Sequence, residues 1–408
     1  MNQADSEMIA GLLKSHGFKI TEFKNSDIVI INTCTVKTPT ENKILKKLSE
    51  LENSNKKVIV SGCMPAAIPK LTNKFPSFSF IGVNVHDIVD AVLCVKDGGR
   101  FIKITNPDNS KCKINIPKIR KNPVIEIIPI AEGCVGNCTY CQTKFARGNL
   151  IPYPKEAILE QIKDAVLNNA KEIWLTSQDA GAYPNFPDLL NDISKISGSF
   201  KVRVGMTNPD HVLKSPDKWI ESYENEKVYK FLHIPLQSGD DGVLKDMNRK
   251  YTTDDFKKII KKFRNEVEGI TIATDIIAGF PTESEEAFEN TVKILKETKP
   301  NILNISRYWT RAGTKAAEMK QPPGSLTKKR SRIISKIFRE FAYENNKKWI
   351  GWEGKAVVSE KAKFGDDWTA RNFAYKPIIV SSNENLLGKE IYVKIHDATY
   401  YDFRGEII

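Results

Sequence analysis

Apolar and polar positions along the chain fall into three rhythms. From residue 2 to about 95, helical and extended patterns alternate. Residues 4–16 are amphipathic and stop at Gly17, and 27–32 (DIVIIN) form an apolar run. Residues 41–52 are helical again, and 57–62 (KVIVSG) form a second apolar run. Apolar runs separated by helices predict a parallel sheet covered on both faces. Segment 96–123 holds Gly98, Gly99, Pro107, Pro117 and Pro123 with little periodicity, so it reads as a linker or an edge hairpin.

From 124 the rhythm becomes a repeat. Strands are expected at 124–131, 172–176, 201–206, 230–235, 270–278 and 301–307, with helices between them such as 155–169, 254–266 and 284–297. Successive βα units of this kind predict a partial (β/α)6 barrel or a large doubly wound sheet. Functional groups then belong just past the C-terminal ends of the strands. After a basic helix at 327–348 the period drops to two, over 355–361, 376–382 and 390–397. That pattern predicts a small antiparallel β-barrel. Such barrels often bind RNA through aromatic and basic side chains, and Trp349, Trp352, Trp368, Arg371, Phe373 and Tyr375 are the candidates here. The competing reading makes these aromatics a structural core.

Composition narrows the class. The 408 residues are 40% hydrophobic and 27% charged, enough apolar material for full cores, which excludes a disordered chain. The first residues, MNQADSEMIAGLLK, lack the apolar core of a signal peptide, and no apolar stretch reaches the ~20 residues that cross a bilayer. A cytoplasmic protein without membrane contact is expected. The net charge of +12 comes from two stripes, 100–121 and 326–348, each of which sums to +6. Two basic stripes on an otherwise balanced chain suggest a polyanionic partner, nucleic acid first, against the alternative of two solvated faces.

Seven cysteines in such a chain are poor candidates for disulfides and better ones for metal or redox chemistry. Cys134, Cys138 and Cys141, in EGCVGNCTYCQ, follow the spacing C-x3-C-x2-C directly after the first strand of the repeat. Structural zinc wants four protein ligands, and no fourth Cys or His follows nearby. A [4Fe–4S] cluster on three thiolates keeps one iron open, to which an amino-acid moiety can bind. Polar residues follow the other strands: Ser177, Gln178 and Asp179; TNP at 207–209; LQSG at 236–239; Asp275 before GFP at 279–281; and Arg307.

This loop closely resembles that of radical S-adenosylmethionine (AdoMet) enzymes. The resemblance implies cluster ligation by Cys134, Cys138 and Cys141, with Tyr140 near the adenine and AdoMet held by Ser177, Gln178, Asp179, Arg203, Asn208, Gln237 and Asp275. It also implies reductive cleavage of AdoMet to a 5′-deoxyadenosyl radical, with the barrel orienting the cofactor. INTC and VSGC place Cys34 and Cys63 at the ends of neighbouring strands, where two thiols are suited to share a second cluster or, alternatively, lie buried and inert.

Nearly end to end, the chain is similar to the methylthiotransferase family. The motifs include NQADSE (2–7), NTC (32–34), SGC (61–63), LTSQD, VGMTNP, HIPLQSGDDGVLKDMNRKYT (233–252), TDIIAGFP and RAGTKAA (311–317). SQDAGAY and GMTNP match the archaeal and eukaryotic branch acting on tRNA. That resemblance implies an N-terminal Rossmann-like α/β domain (1–99), a basic linker (100–123), a radical-AdoMet domain (124–346) and a C-terminal TRAM RNA-binding barrel (347–408). It implies conversion of N6-threonylcarbamoyladenosine, 3′ of the anticodon, to its 2-methylthio derivative, with two [4Fe–4S] clusters. Partners would be the tRNA anticodon arm, a ferredoxin- or flavodoxin-type electron donor and a sulfur donor. Lys328, Lys329, Arg330, Arg332 and Arg371 are the expected RNA contacts. The alternatives are a methylthiotransferase acting on a ribosomal protein and a non-catalytic RNA-binding homologue.

One departure stands out. The family's N-terminal cluster uses three cysteines, the first just before the N-x-x-DSE stretch, and here that stretch opens the chain. A trimmed or misassigned start is expected, with Cys94 a less favoured substitute for the missing ligand. Pro184 after the Tyr, and Thr282-Glu283 in place of Gly-Glu-Thr, are smaller departures that bear on loop shape.

Overall fold

A computed structural model describes residues 1–408 apart from 36, 106, 108–111 and 364. It is an α/β multidomain protein with two compact units, one formed by 1–121, 127–158 and 309–317, the other by 122–126, 159–308 and 318–408.

In the first unit, the apolar runs pair as a parallel sheet in chain order: Ile28–Thr33, Lys57–Gly62, Ser79–Ile81 and Ile102–Lys103. Ile30 lies opposite Ile59, and Thr33 opposite Gly62. The helix Asn2–Ser15 precedes the first strand, and Thr38–Glu52, then Cys63–Ala67 with Leu71–Lys74, then Ile88–Lys96 supply the three crossovers. Leu48 and Leu51 from the second helix meet Val58, Val60, Phe75 and Phe80 in one core. The segment expected as a linker instead contributes the fourth strand, with Ile102 paired to Phe80. Two residues are too few to show a period, so the pattern concealed it. Its basic residues are also not a free stripe. Lys113 is 2% exposed, Arg100 caps carbonyls of Phe78 and Thr72, Lys103 pairs with Asp87, and Lys118 donates to the Ile127 carbonyl. Asp108 and Lys111 of that stripe lie outside the described residues.

In the second unit, the repeat forms two parallel three-stranded sheets. Glu172–Thr176 pairs with Lys201–Val204, joined by the opening residues of Ile125–Pro129, and Phe231–His233, Thr271–Ala278 and Ile302–Arg307 make the other. Single bonds bridge the two: Tyr229 N–H to the Val202 carbonyl (2.9 Å) and Thr207 N–H to that of His233 (2.9 Å). The result is the partial (β/α)6 barrel. Ile173, Leu175, Val202 and Val204 are buried.

Beyond the helix Gly324–Lys347, five strands close a barrel: Glu353–Lys361, Trp368–Arg371, Pro377–Val380, Glu390–Ala398 and Phe403–Ile407. Its interior is Ala356, Val358, Trp368, Ala370, Ile378, Val380, Val393, Ile395 and Phe403. Here the competing reading of the aromatics prevails. Trp368 is 6% exposed, and Trp349, Trp352 and Phe373 form one packed cluster with ring centroids 5.9–6.2 Å apart. Tyr375, held at φ 59°, packs its ring on Tyr229 and Phe231 of the (β/α) barrel (4.8 and 5.1 Å). The Lys230 N–H donates to the Phe373 carbonyl (2.8 Å) beside it.

Candidate active site

The first unit carries every cysteine. Ala131–Glu132 pairs antiparallel with Ile151–Pro152, and the intervening chain makes the cysteine loop and the helix Thr143–Arg147. Gly133 opens the loop at φ 70°, where a Cβ would lie 1.9 Å from the Asn149 carbonyl oxygen, so only glycine fits. Two backbone amides point at sulfur: Gly136 N–H at Cys134 Sγ (3.3 Å) and Thr143 N–H at Cys141 Sγ (3.4 Å). A Cβ on Gly136 would stand 3.3 and 3.6 Å from the sulfurs of Cys134 and Cys138, so the loop turns closely around both. All three cysteines are half-buried. Among the described residues no three Cys, His, Asp or Glu side chains gather as on a single ion. A cubane asks for less convergence, because each thiolate binds its own iron. Half-buried thiolates with amide donors at sulfur fit an iron–sulfur cluster.

The segment Trp309–Ala317 braces this loop. Ala316 N–H donates to the Thr139 carbonyl (2.9 Å), and Gln142 Nε2 donates to the Ala312 carbonyl (2.8 Å). Beneath the loop lies a closed square of buried charges that sequence reasoning missed. Arg147 bonds Asp5 and Glu132 at 2.6 Å each, and Lys113 pairs with the same two carboxylates at 3.1 and 2.7 Å. All four side chains are 2–3% exposed. Burial alone would raise the Asp5 carboxyl, but Lys113 and Arg147 prevail and pull it down to about 2. The one sequence signal for this square was an acid, Glu132, directly after the mostly apolar run 124–131.

Cys34 and Cys63 follow the paired strand ends Thr33 and Gly62. Gly62, at φ 92°, permits the approach, since a Cβ there would meet the Thr33 carbonyl at 2.4 Å. Thr33 locks the pair by donating to the Ser61 carbonyl (2.6 Å) and accepting from Met64 N–H (3.1 Å). Cys63 is buried and Cys34 half-buried. Burial pushes the Cys63 thiol up, opposed by the charge of Arg147 and a hydrogen bond from it. Cys94, in the helix Ile88–Lys96, packs its sulfur at Gly99 in the turn after that helix.

In the second unit, the strand-end residues form networks. Asp179 is fully buried and accepts from the Asn208 amide (2.6 Å), the Asn208 N–H (3.2 Å) and His211 Nε2 (2.9 Å). Its carboxylate is thus already occupied, and it acts by fixing Asn208, whose oxygen accepts from Arg249. Burial would lower the His211 imidazole, but the hydrogen bond and charge of Asp179 raise it. Asp275 accepts from His233 Nε2 (3.0 Å) and Asn304 Nδ2 (2.8 Å), joining all three strands of its sheet. Gln237, at φ 68°, bridges Asp275 and Ile277 through its backbone. The Arg203 guanidinium lies over Trp174, Phe231 and Tyr375 at 5.1–5.3 Å. Gln178 Oε1 and Thr207 Oγ1 are buried without a hydrogen-bond partner among the described residues. A buried acceptor beside strand ends suits an incoming donor, which fits an amino-acid ligand. His211, Arg249, His233 and Asn304 were not singled out from sequence, because each is a lone polar residue whose partner comes from a distant stretch of the chain.

The expected RNA contacts divide. Lys328, Lys329 and Arg332 are exposed on the helix Gly324–Lys347. Arg330 is not: it is 3% exposed and bonds Glu283 and Glu285 at 3.0 and 2.9 Å, so it fastens that helix rather than facing solvent. Arg371 is partly buried, paired to Glu360 at 2.8 Å and stacked on Tyr375 at 4.3 Å.

Three clustered cysteines after the first strand of a partial (β/α) barrel define a radical AdoMet protein, and the Radical SAM superfamily matches residues 128–295. Uncharacterized protein family UPF0004 matches residues 1–81. The probable threonylcarbamoyladenosine tRNA methylthiotransferase of Pyrococcus horikoshii is 43% identical over all of this chain and 97% of its own. The threonylcarbamoyladenosine tRNA methylthiotransferase of Homo sapiens is 37% identical over 99% of this chain and 72% of its own. The chain belongs to the threonylcarbamoyladenosine tRNA methylthiotransferase family. Among solved structures, the radical S-adenosylmethionine methyltransferase TsrM from Kitasatospora setae, with cobalamin and a [4Fe-4S] cluster bound, shares the fold. Its TM-score is 0.58 at 13% identity, over 77% of this chain and 73% of that one.

Proposed function

We propose that this protein converts N6-threonylcarbamoyladenosine in tRNA to its 2-methylthio derivative. The observation that carries the reading is the full-length match to the family, with the cysteine loop and its sulfur-directed amides in place. Cys134, Cys138 and Cys141 would hold a [4Fe–4S] cluster, and Cys34 and Cys63 would contribute to a second. When bound, cluster and AdoMet together supply a carbon radical able to take hydrogen from an unreactive C–H bond. The chain's own residues position and shield. Gly136 and Thr143 amides stabilise thiolate charge, and the Gln178 and Thr207 oxygens accept from the ligand's amine. Asp179, itself held by His211, orients Asn208 through its direct hydrogen bonds. Asp275, with His233, Asn304 and Gln237, shapes the end of its sheet, and Tyr140 would pack near the adenine. Exposed Lys328, Lys329 and Arg332 would contact phosphate. The division at 99, 123 and 346, a cytoplasmic location, a small redox-protein electron donor and a separate sulfur donor complete the reading. No helix among the described residues is long and apolar enough to cross a membrane.

The test is mass spectrometry of tRNA nucleosides from cells with and without the gene, with iron and sulfide analysis of anaerobically reconstituted protein. The methylthio nucleoside should vanish on deletion and return with the gene, and Cys138→Ala should lose about four irons. A deletion strain that keeps the modification refutes the proposal.

A further inference from the structure

Along the helix Gly324–Lys347, Arg332, Lys336, Arg339 and Tyr343 recur at intervals of four, three and four residues. They therefore share one face and span about 16 Å. All four are exposed. The three cations have no carboxylate within ion-pair distance among the described residues, although Glu340 and Glu344 lie on the flank of the same helix. The contrast with Arg330 is informative: two positions before Arg332, on the inward side, it binds two glutamates. Like charges one turn apart destabilise an isolated helix, so this face is held together against its own repulsion.

The stripe leads to an aromatic platform contributed by the C-terminal barrel. Arg339 lies over the Tyr400 ring at 5.3 Å, and Tyr400 packs against Tyr401 with centroids 4.1 Å apart and the rings tilted by 44°. Tyr401 is 67% exposed. The turn that carries them is tied to the helix by Asn346, which donates to the Thr399 carbonyl (2.9 Å). Of the tryptophans that the sequence offered for this task, Trp368 is inside the barrel, and Trp349 and Trp352 are partly buried against its core. Beside the cationic face, Tyr401 is on the surface.

We propose that this face is an RNA track, in which Arg332, Lys336 and Arg339 follow phosphates and the Tyr400–Tyr401 pair stacks an unpaired base. The inference rests on the tRNA reading above and deepens it, by locating where the RNA lies. Cations that recur at each turn match a regularly charged backbone, and the exposed Tyr401 ring, backed by the half-buried Tyr400, offers a face to a nucleobase.

The test is binding of fluorescently labelled tRNA to the full-length protein, from about 50 to 200 mM salt. Arg332→Ala/Lys336→Ala/Arg339→Ala should weaken binding and reduce the slope of log K against log salt by about 2 to 3. Tyr400→Ala/Tyr401→Ala should weaken binding about ten-fold with little change of slope. A control, Lys258→Ala/Lys261→Ala/Lys293→Ala, removes three exposed lysines on other helices and should leave the slope as it is. Circular dichroism and melting of each variant confirm folding. An unchanged slope in the first variant, or an equal drop in the control, overturns the track. Parallel nucleoside analysis separates the two readings: if the wild-type protein methylthiolates tRNA while the track variant binds as before, only the track falls. If the wild-type protein neither binds nor modifies tRNA, both fall.

Discussion

Replacing Arg147 by Met tests how the buried square holds the cysteine loop. Arg147 is 2% exposed and bonds two carboxylates that are equally buried. Breaking a buried ion pair by removing one partner costs about 3–5 kcal/mol, because the other charge is left without water or counterion. Two pairs are lost here, but Lys113 still faces both carboxylates, so the expected loss is about 5 kcal/mol rather than twice the single figure. Against a total of about 5–15 kcal/mol, that is enough to unfold much of the population. The loss should depend on pH, with a definite sign. In the wild type, Asp5 is held down at about 2, so its contribution is present above the unfolded value near 3.8 and is lost as pH falls through about 2. Without Arg147, burial gains the upper hand and the carboxyls rise, so the variant regains stability on acidification. Urea unfolding followed by tryptophan fluorescence at about pH 7 and pH 4 should therefore show a gap between wild type and variant that narrows at the lower pH. Adding Glu132→Gln should recover part of the loss, since it removes the charge left behind. A loss under about 1 kcal/mol, or a gap equal at both pH values, would refute the reasoning.

Gly133→Ala should prevent the cysteine loop from closing, given the 1.9 Å approach to the Asn149 carbonyl oxygen; reconstituted protein would then carry about four fewer irons. Asp179→Asn should remove the pH dependence that His211 confers. The imidazole is raised in the fold, so its stabilising effect is present below about pH 6.5 and is lost as pH climbs through the raised value; thermal melting across that range should become flat in the variant. Tyr375→Ala should cost about 3–5 kcal/mol, by emptying the space between Tyr229 and Phe231. Limited proteolysis should then release the C-terminal barrel sooner than in the wild type.

Element type was readable wherever a run was long enough to show its period. All six strands of the repeat and the long basic helix stand where alternation and apolar spacing put them. What escaped were strands whose residues show no apolar period, such as Ile102–Lys103 and Trp368–Arg371. The cysteine spacing singled out its loop because three thiols so close together are rare. Their second layer did not show, because Asp5, Lys113, Glu132 and Arg147 come from four separated stretches whose meeting depends on the tertiary fold. Charge counts misled for the same reason. Arg330 and Lys113 counted towards basic stripes, yet both are buried against acids from distant elements, and the count cannot distinguish a counterion in the chain from one in a partner.

The brace at Trp309–Ala317 belongs to the same compact unit as the first 121 residues, which has a consequence in time. On the ribosome, the nascent chain must extend past residue 317 before the cysteine loop receives its last supports, the Ala312 carbonyl and the Ala316 amide. Metal delivery to a loop still awaiting them would meet thiols that are only partly ordered. Maturation is thus best timed after the whole barrel has emerged from the exit tunnel.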